Sequence, residues 1–426
     1  MNSNSLLAKY SLTLPIWNKY MTYIVQKFGG TSVADLDRIK HVATKVREEV
    51  SKGNKVAVVV SAMAGETNKL TDWANKLGGS KPNAEHDVIV SSGEQVTSGL
   101  LALYLNNIGI NARSWMAWQM PFMTDDTFTK ARITKIDATE LKVSLDKNFV
   151  AVIPGFQGVT DNKRITTLGR GGSDTTAVAL AAALSAERCD IYTDVDGVYT
   201  TDPRIVSKAQ KIDAVTYEEM LEMASQGAKV LQTRSVALAM LHDVRLQVLS
   251  TFENKPGTLV LSEEEILEHE TVTGIAYSPD EAKVTLRRVG DKPGVAASIF
   301  GSLAKASINV DMIVQNVSED GKATDITFTI NQTDSERASE VLHNLKDEIG
   351  FCDLIADQNV AKISVIGVGM RSQPGVATTM FRTLGEKGIN IEVISTSEIK
   401  VSVLIASEYT ELAVRALHTA FDLDLN

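Results

Sequence analysis

"AKVTLRRVGDKPGVAASIFGSLAKASINVDMI" (residues 282–313) and "AKISVIGVGMRSQPGVATTMFRTLGEKGINIEVI" (residues 361–394) are two versions of one unit. In each, an alternating apolar run reads as a strand, a Pro-Gly-Val-Ala turn opens a helix, and Ile-Asn leads into a second strand. Pro293, Gly294, Val295, Ala296, Phe300, Leu303, Ile308 and Asn309 recur as Pro374, Gly375, Val376, Ala377, Phe381, Leu384, Ile389 and Asn390. Each copy adds a β-rich run ("DITFTI", "KVSVLIA") and a further helix ("SERASEVLHNLKDEI", "TELAVRALHTAF"). The C-terminal part of the chain is therefore a pair of βαββ-like units.

Upstream of the pair, from Thr22 to about Glu268, β-rich runs alternate with helical patterns, as in a sheet layered between helices. The strand candidates are "YIVQKF", "KVAVVVSAM", "ARSWMAW", "FVAVIPGF", "CDIYTDV" and "RLQVLST". Ser32 to Val50 places Val33, Leu36, Ile39, Ala43 and Val46 on one helix face, and the alanine-rich Asp174 to Glu187 is a second helix. "SEEEILEHE" (262–270) reads as a connecting helix or linker. Residues 1–21 show no continuous apolar run followed by a cleavage site and are read as an extension, with Met21 an alternative start.

At 426 residues the chain is too long for one ordinary core. A formal net charge of -10 argues against nucleic acid as a partner, because a phosphate-backbone binder carries a clustered basic face. The sequence reading finds no apolar run near the 18 to 20 residues, roughly, of a membrane span, so no membrane partner is expected. Cys189 and Cys352 form neither a CxxC pair nor a disulfide framework, which fits a reducing, cytoplasmic compartment.

Three glycine-rich or acidic elements carry candidate chemistry. In "VQKFGGTSVAD" (25–35), a strand ends in Gly29 and Gly30 before a helix start, so free N–H groups and Lys27 together suit a phosphate. The same residues also serve as a tight turn with a solvated lysine. Thr31 or Ser32 is the expected helix cap, with Asp35 as the capping-box acid. In "TTLGRGGSDTTAVALAAAL" (166–184), Gly169, Gly171 and Gly172 allow close approach to a ligand. There Arg170 offers a fork for a carboxylate or phosphate, and Ser173 is the expected cap. In "YTDVDGVYTTDPR" (192–204), Asp194 and Asp196 follow a strand where open α/β sheets place ligands; they suit ribose hydroxyls or the waters of a magnesium ion, or simply a turn. No GxxxxGK[ST] and no complete GxGxxG occurs.

With these motifs in this order ahead of the paired units, the chain resembles bacterial aspartokinases of the monofunctional type with two C-terminal ACT domains. The resemblance runs from about Thr22 to the C-terminus and departs from the family pattern in the extension and in a short tail after the last helix. It implies an α/β amino-acid-kinase fold, mainly a parallel sheet between helix layers, over residues 22–268. Two ferredoxin-like βαββαβ ACT domains follow, at 269–345 and 346–426. It implies transfer of a phosphoryl group from MgATP to the side-chain carboxylate of L-aspartate, giving 4-phospho-L-aspartate, the first step towards lysine, threonine, methionine and diaminopimelate.

The resemblance also implies site residues. Lys27, Phe28, Gly29, Gly30 and Ser61 match the phosphate side. Thr193, Asp194, Tyr199, Thr200, Thr201, Asp202, Pro203, Arg204 and Lys229 match nucleotide contacts. Thr67, Glu94, Arg170, Gly171, Gly172 and Ser173 match aspartate contacts. Lys27, Arg170 and Asp194 are the catalytic candidates, with ATP and Mg²⁺ as cofactors and no protein-held metal cluster. Lysine or threonine as effectors are expected at Asp291, Asn309, Asp311 and Gln315 in the first repeat and at Val376, Asn390, Thr396 and Ser397 in the second. A homo-oligomer formed through the ACT units is expected too. Another amino-acid kinase of the same fold and a non-catalytic ACT sensor are the alternatives. The chemistry needs no catalytic His or Cys, since a carboxylate with an ordinary pKa near 3.9 is already ionised.

Overall fold

A computed structural model of the chain describes residues 22–79, 81–226, 230–266, 270–317 and 323–424. The first module is built on an eight-stranded sheet in the order Ala214–Thr216, Thr258–Leu261, Leu246–Ser250, Arg188–Thr193, Tyr23–Phe28, Lys55–Val60, Val150–Pro154, Ala112–Ser114. All its ladders are parallel except that between Leu246–Ser250 and Thr258–Leu261. Strands covered on both faces read as unbroken apolar runs. Lys55–Val60, KVAVVV, is buried at every position. Val25, Ala57 and Val59 point into one core with Leu180, Met220 and Val236. Phe28, Val58 and Val60 point into the other, with Val42, Leu101 and Leu105 from helices Leu36–Ser51 and Ser92–Asn107.

The residues around "PFMTDDTFTKAR", which no motif claims, belong to a second sheet in the order Ile133–Ile136, Phe122–Thr124, Gln157–Val159, Ile165–Thr167. Fully buried Asp87 ties this sheet down, accepting from the N–H groups of Thr129 and Thr167 at 2.9 and 2.7 Å. The ion's burial is offset by these bonds and one from the Thr167 hydroxyl.

The paired units share one antiparallel sheet, ordered Val310–Val317, Ala323–Asn331, Gly274–Gly290, Asp353–Ile366, Lys400–Ala406, Val393–Thr396. Its two long strands each serve both units. Gly274 to Ser278 pairs with Lys362 to Ile366, and Lys283 to Arg287 pairs with Asp353 to Asp357. Ile275 accordingly packs with Ile363, Met380 and Leu417 of the second repeat, whereas Val284 packs with Leu303 and Phe328 of the first. Both repeat helices, Val295–Lys305 and Val376–Glu386, start after a left-handed glycine, Gly294 (φ 96°) and Gly375 (φ 109°). The recurring Pro-Gly is thus a conformational requirement.

Local expectations needed correction in several places. The first helix begins at Leu36, because Asp35 is in extended conformation and its side chain accepts from Arg38 N at 2.8 Å; Thr31 and Ser32 lie in the preceding turn. The second motif helix, Gly172–Leu184, starts after Gly171 (φ 71°), so Ser173 lies inside its first turn and caps nothing. "ARSWMAW" is a strand only over Ala112–Ser114. "SEEEILEHE" forms a single 3₁₀ turn, Glu263–Glu265, before residues 267–269, which lie outside the described set. Residues 84–107 reach the length and apolarity of a membrane span, contrary to the sequence reading, but half of that stretch is buried within the kinase-like module.

Candidate active site

Where the strands Tyr23–Phe28 and Lys55–Val60 end, a cavity of about 280 Å³ opens at the carboxyl edge of the sheet. This is where parallel α/β sheets place ligands, because the crossover loops leave backbone groups free there. Lys27 enters from the first strand, Ser61 follows the second, and Thr67 comes from the helix Glu66–Gly78. Glu94 enters from Ser92–Asn107 and Arg170 from the glycine loop. Gly30, Gly171, Gly172 and Ser173 complete the expected residues on the wall. A Cβ at Gly30 would stand 3.1 Å from the Ala62 carbonyl, so a side chain there would push the two strand ends apart by a few tenths of an ångström.

Two charged features define the cavity. Lys27 Nζ lies 2.6 Å from Asp174 Oδ1, with both side chains about nine-tenths buried at 11 and 10 % exposure. A buried ion pair is costly to desolvate, so its placement at a cavity wall indicates a charged ligand rather than a stability device. Glu94 is 3 % exposed; its Oε1 accepts from Ala62 N at 3.2 Å, while Oε2 is buried without a partner. Burial pushes its carboxyl up to about 7, against the weaker pull of the backbone N–H groups of Glu94 itself and of Ala62. Opposite these groups Arg170 is exposed between two left-handed glycines, Gly169 (φ 79°) and Gly171, and its guanidinium has no partner among the described residues. An ammonium for Glu94, a carboxylate for Arg170 and an anion for Lys27 describe a small acidic amino acid beside a phosphate.

Asp174 was missing from the expected site. It was legible as the only acid of "RGGSDTT", one residue beyond Ser173 in the helix's first turn.

The acidic motif divides in two. Thr193 and Asp194 do not line the cavity; they lie at the end of Arg188–Thr193, the strand next to Lys27, and Gly29 N reaches Tyr192 O at 3.3 Å. Phe28 is fully buried and stacks on Tyr192 at 4.6 Å, so it serves by packing and backbone. Tyr199, its hydroxyl pushed up to about 12 by burial and by Asp196, which accepts from it at 2.8 Å, begins a limb that leaves the cavity. The Thr200 hydroxyl meets His418 Nε2 at 2.8 Å, and Thr201 is buried. Asp202 is held below its ordinary range first by Arg204 and accepts from Tyr277 at 3.2 Å. Pro203 and Arg204 are exposed, and Lys229 lies outside the described residues. These contacts with the C-terminal module were invisible to motif matching.

Of the expected effector residues, Val376 is buried in the second repeat's core, and Asp311 pairs with Lys362 at 2.6 Å. Asp291, Asn309, Gln315, Asn390, Thr396 and Ser397 are exposed. Met312 and Val314, from one edge strand, pack with Val393 of the other, so the two edge strands of the sheet approach each other.

An amino-acid kinase with a paired ACT module is the class that this sheet, cavity and repeat define. The amino acid kinase family profile matches residues 22–250, and the ACT domain profile matches 287–345 and 363–421. The chain is 54% identical over 407 residues to an aspartate kinase of Pseudomonas fluorescens, covering 95% of this chain and 98% of that protein. Among solved structures, E. coli aspartokinase III in complex with aspartate and ADP (R-state) matches with a TM-score of 0.79 at 28% identity. That match covers 93% of this chain and 99% of the other. The same enzyme in complex with lysine and aspartate (T-state) matches with a TM-score of 0.76 at 29% identity, with the same coverage. The chain belongs to the aspartate kinase family.

Proposed function

We propose that the chain transfers the γ-phosphoryl group of ATP to the side-chain carboxylate of L-aspartate, the entry step to lysine, threonine, methionine and diaminopimelate synthesis. The observation that carries this reading is the cavity that holds the Lys27–Asp174 pair and the partnerless Glu94 Oε2 together. Glu94 takes the α-ammonium of aspartate and Arg170 a carboxylate, leaving the other carboxylate directed at the phosphate on Lys27. The acceptor is ionised at neutral pH, so the protein's work is alignment and charge neutralisation. Lys27 Nζ stabilises the transferring phosphoryl, and Asp174 holds that nitrogen in place.

Magnesium is generally held by one or two carboxylates, water and the phosphates themselves, and supplies neutralisation of the phosphate charge. Asp194 and Asp174 are the carboxylates available. Lysine or threonine acts at the ACT pair, near the Pro-Gly-Val-Ala turns and Ile-Asn strands. The pair also joins subunits, since Ile313 and Ile394 on the two edge strands are 54 and 45 % exposed. The enzyme works in a reducing cytoplasm, with both cysteines free.

An ADP-release assay with aspartate, glutamate or no amino acid tests the reaction. Aspartate-dependent turnover is expected; equal rates with glutamate would assign a different kinase, and no turnover a sensor. Lysine and threonine added to the same assay test regulation.

A further inference from the structure

The tail beyond the last helix reaches a kinase motif. Helix Thr410–Ala420 is followed by Asp422 in a left-handed conformation (φ 57°), which turns the chain back so that Leu423 N donates to His418 O at 3.1 Å. Leu423 then packs against the second repeat's core. This fold-back puts Asp424 Oδ1 2.6 Å from His418 Nδ1, while Oδ2 accepts from Thr419 Oγ1 at 3.0 Å and faces Lys208 Nζ at 3.5 Å. His418 is fully buried. Its Nε2 lies 2.8 Å from Thr200 Oγ1, which also accepts from Gln210 N at 3.0 Å.

The direction of this chain of bonds follows from what each group can donate. An ionised carboxylate only accepts, so the hydrogen between Asp424 Oδ1 and His418 lies on Nδ1, whereas the Nε2–Thr200 Oγ1 bond takes its hydrogen from either partner. In both cases the Thr200 oxygen keeps a lone pair for the Gln210 N–H. The two contacts together hold the Thr200 side chain in one orientation.

Thr200 belongs to the Tyr199–Arg204 limb, which is held within its own module, where Thr200 N donates to Gln210 O at 2.9 Å and Tyr199 bridges to Lys211, and also by the C-terminal module. Thr200 O accepts from Ile275 N at 2.7 Å, Tyr277 donates to Asp202, and Arg415 Nε donates to Ile205 O at 2.9 Å. From this we infer that Asp424 and His418 are positioning residues for ATP: through Thr200 they hold the Tyr199–Arg204 limb in its nucleotide-binding conformation. The role rests on the reading of that limb as part of the nucleotide site. It gives the C-terminal tail a task in the reaction, although the tail lies 218 residues from Thr200 when measured to His418.

Steady-state kinetics of the full-length enzyme test it. Asp424→Ala is expected to raise KM for ATP about five- to tenfold, the size expected for one lost buried hydrogen bond, with kcat and KM for aspartate within about twofold. Asp424→Asn keeps an acceptor oxygen for Nδ1–H and returns KM for ATP to near the wild-type value. Stopping the chain after Phe421 reproduces Asp424→Ala, without touching the buried His418. Arg204→Ala, in the limb itself, checks the nucleotide reading of that limb and is expected to raise KM for ATP as well. If Arg204→Ala raises it and Asp424→Ala does not, the limb's nucleotide role stands and the positioning role is refuted. If neither moves it, the nucleotide reading itself is refuted. A general loss of kcat and of both KM values in Asp424→Ala, unrelieved in Asp424→Asn, also overturns the role.

Discussion

With Glu94 in its proposed role, substrate affinity and stability are expected to respond to pH in opposite senses. Its carboxyl is 3 % exposed, has one oxygen without a partner, and is pushed from 4.5 to about 7 by burial. Only the ionised form attracts the substrate ammonium. With a midpoint near 7, about nine-tenths of the enzyme is competent at pH 8 and about one-tenth at pH 6, so KM for aspartate at saturating ATP rises nearly tenfold across that interval. The stability effect has the opposite sign. Because the folded state holds the proton more tightly than the unfolded chain, stability falls as pH rises from about 4.5 through 7. The upward shift corresponds to a cost of about 3 kcal/mol, complete above pH 7 and absent below 4.5. Glu94→Gln removes the ionisation. The variant should bind aspartate roughly 10- to 100-fold more weakly at pH 8, with the pH limb gone, yet melt several degrees higher than wild type at pH 8 and near it at pH 5. KM–pH profiles and calorimetric melts of the substrate-free protein measure both. A flat wild-type KM profile between pH 6 and 8, with no pH-dependent gain in Tm for Glu94→Gln, would refute the reasoning.

Lys27→Ala removes the cation and leaves Asp174 facing the phosphate, so kcat should fall about 100-fold or more; retention of most of the wild-type turnover would exclude the role. Arg170→Lys keeps the charge but loses the planar fork, and KM for aspartate should rise roughly tenfold while KM for ATP stays near wild type, as paired substrate titrations would show. Glu219→Ala, read by thermal or urea unfolding, should cost about 3 kcal/mol. The carboxylate is 2 % exposed and accepts from Thr216 N, Thr273 Oγ1 and Val368 N at 3.1, 2.6 and 2.9 Å, all of which would lose their partner.

Much of the molecule was legible because its signals are periodic or conformationally forced. The apolar KVAVVV announced a strand, and the doubled Pro-Gly announced two turns that open helices, which the structure shows to start after left-handed Gly294 and Gly375. The cavity residues were found because glycine loops and a strand-end lysine occupy adjacent positions in short motifs. What escaped depends on contacts between distant segments. Asp35 outcompeted Thr31 and Ser32 as a cap because the chain needs four further residues to turn from the strand, with Ser32 drawn to Thr251 at 2.6 Å. Nothing local in "YTTDPR" shows that Thr200 faces a histidine of the last helix. The sharing of Gly274–Gly290 between two cores is equally invisible, since both halves carry the same alternating pattern.

These long-range contacts bear on how an effector at the ACT pair can reach the active site. Allosteric coupling requires that the two modules change position together, with different affinities in the two arrangements. Beyond apolar packing, the described joint contains several specific polar ties. Glu219 uses one oxygen to cap its own helix through Thr216 and the other to hold Thr273 and Val368 of the second repeat. Gln226 reaches Ser364 at 3.3 Å, and Glu222 pairs with Lys400 at 2.8 Å. Both belong to the region that leads into Lys229, and the other side of the joint is the Thr200 limb. The second repeat therefore grips the Thr200 limb and the helix Tyr217–Ser225 with Gln226 after it, and neither tie touches Glu94 or Arg170. A shift of that repeat is expected to alter ATP affinity first, so inhibition by lysine or threonine should be competitive with ATP and not with aspartate; initial rates at varied ATP and at varied aspartate, with the effector fixed, measure it, and a pattern competitive with aspartate would refute the coupling route.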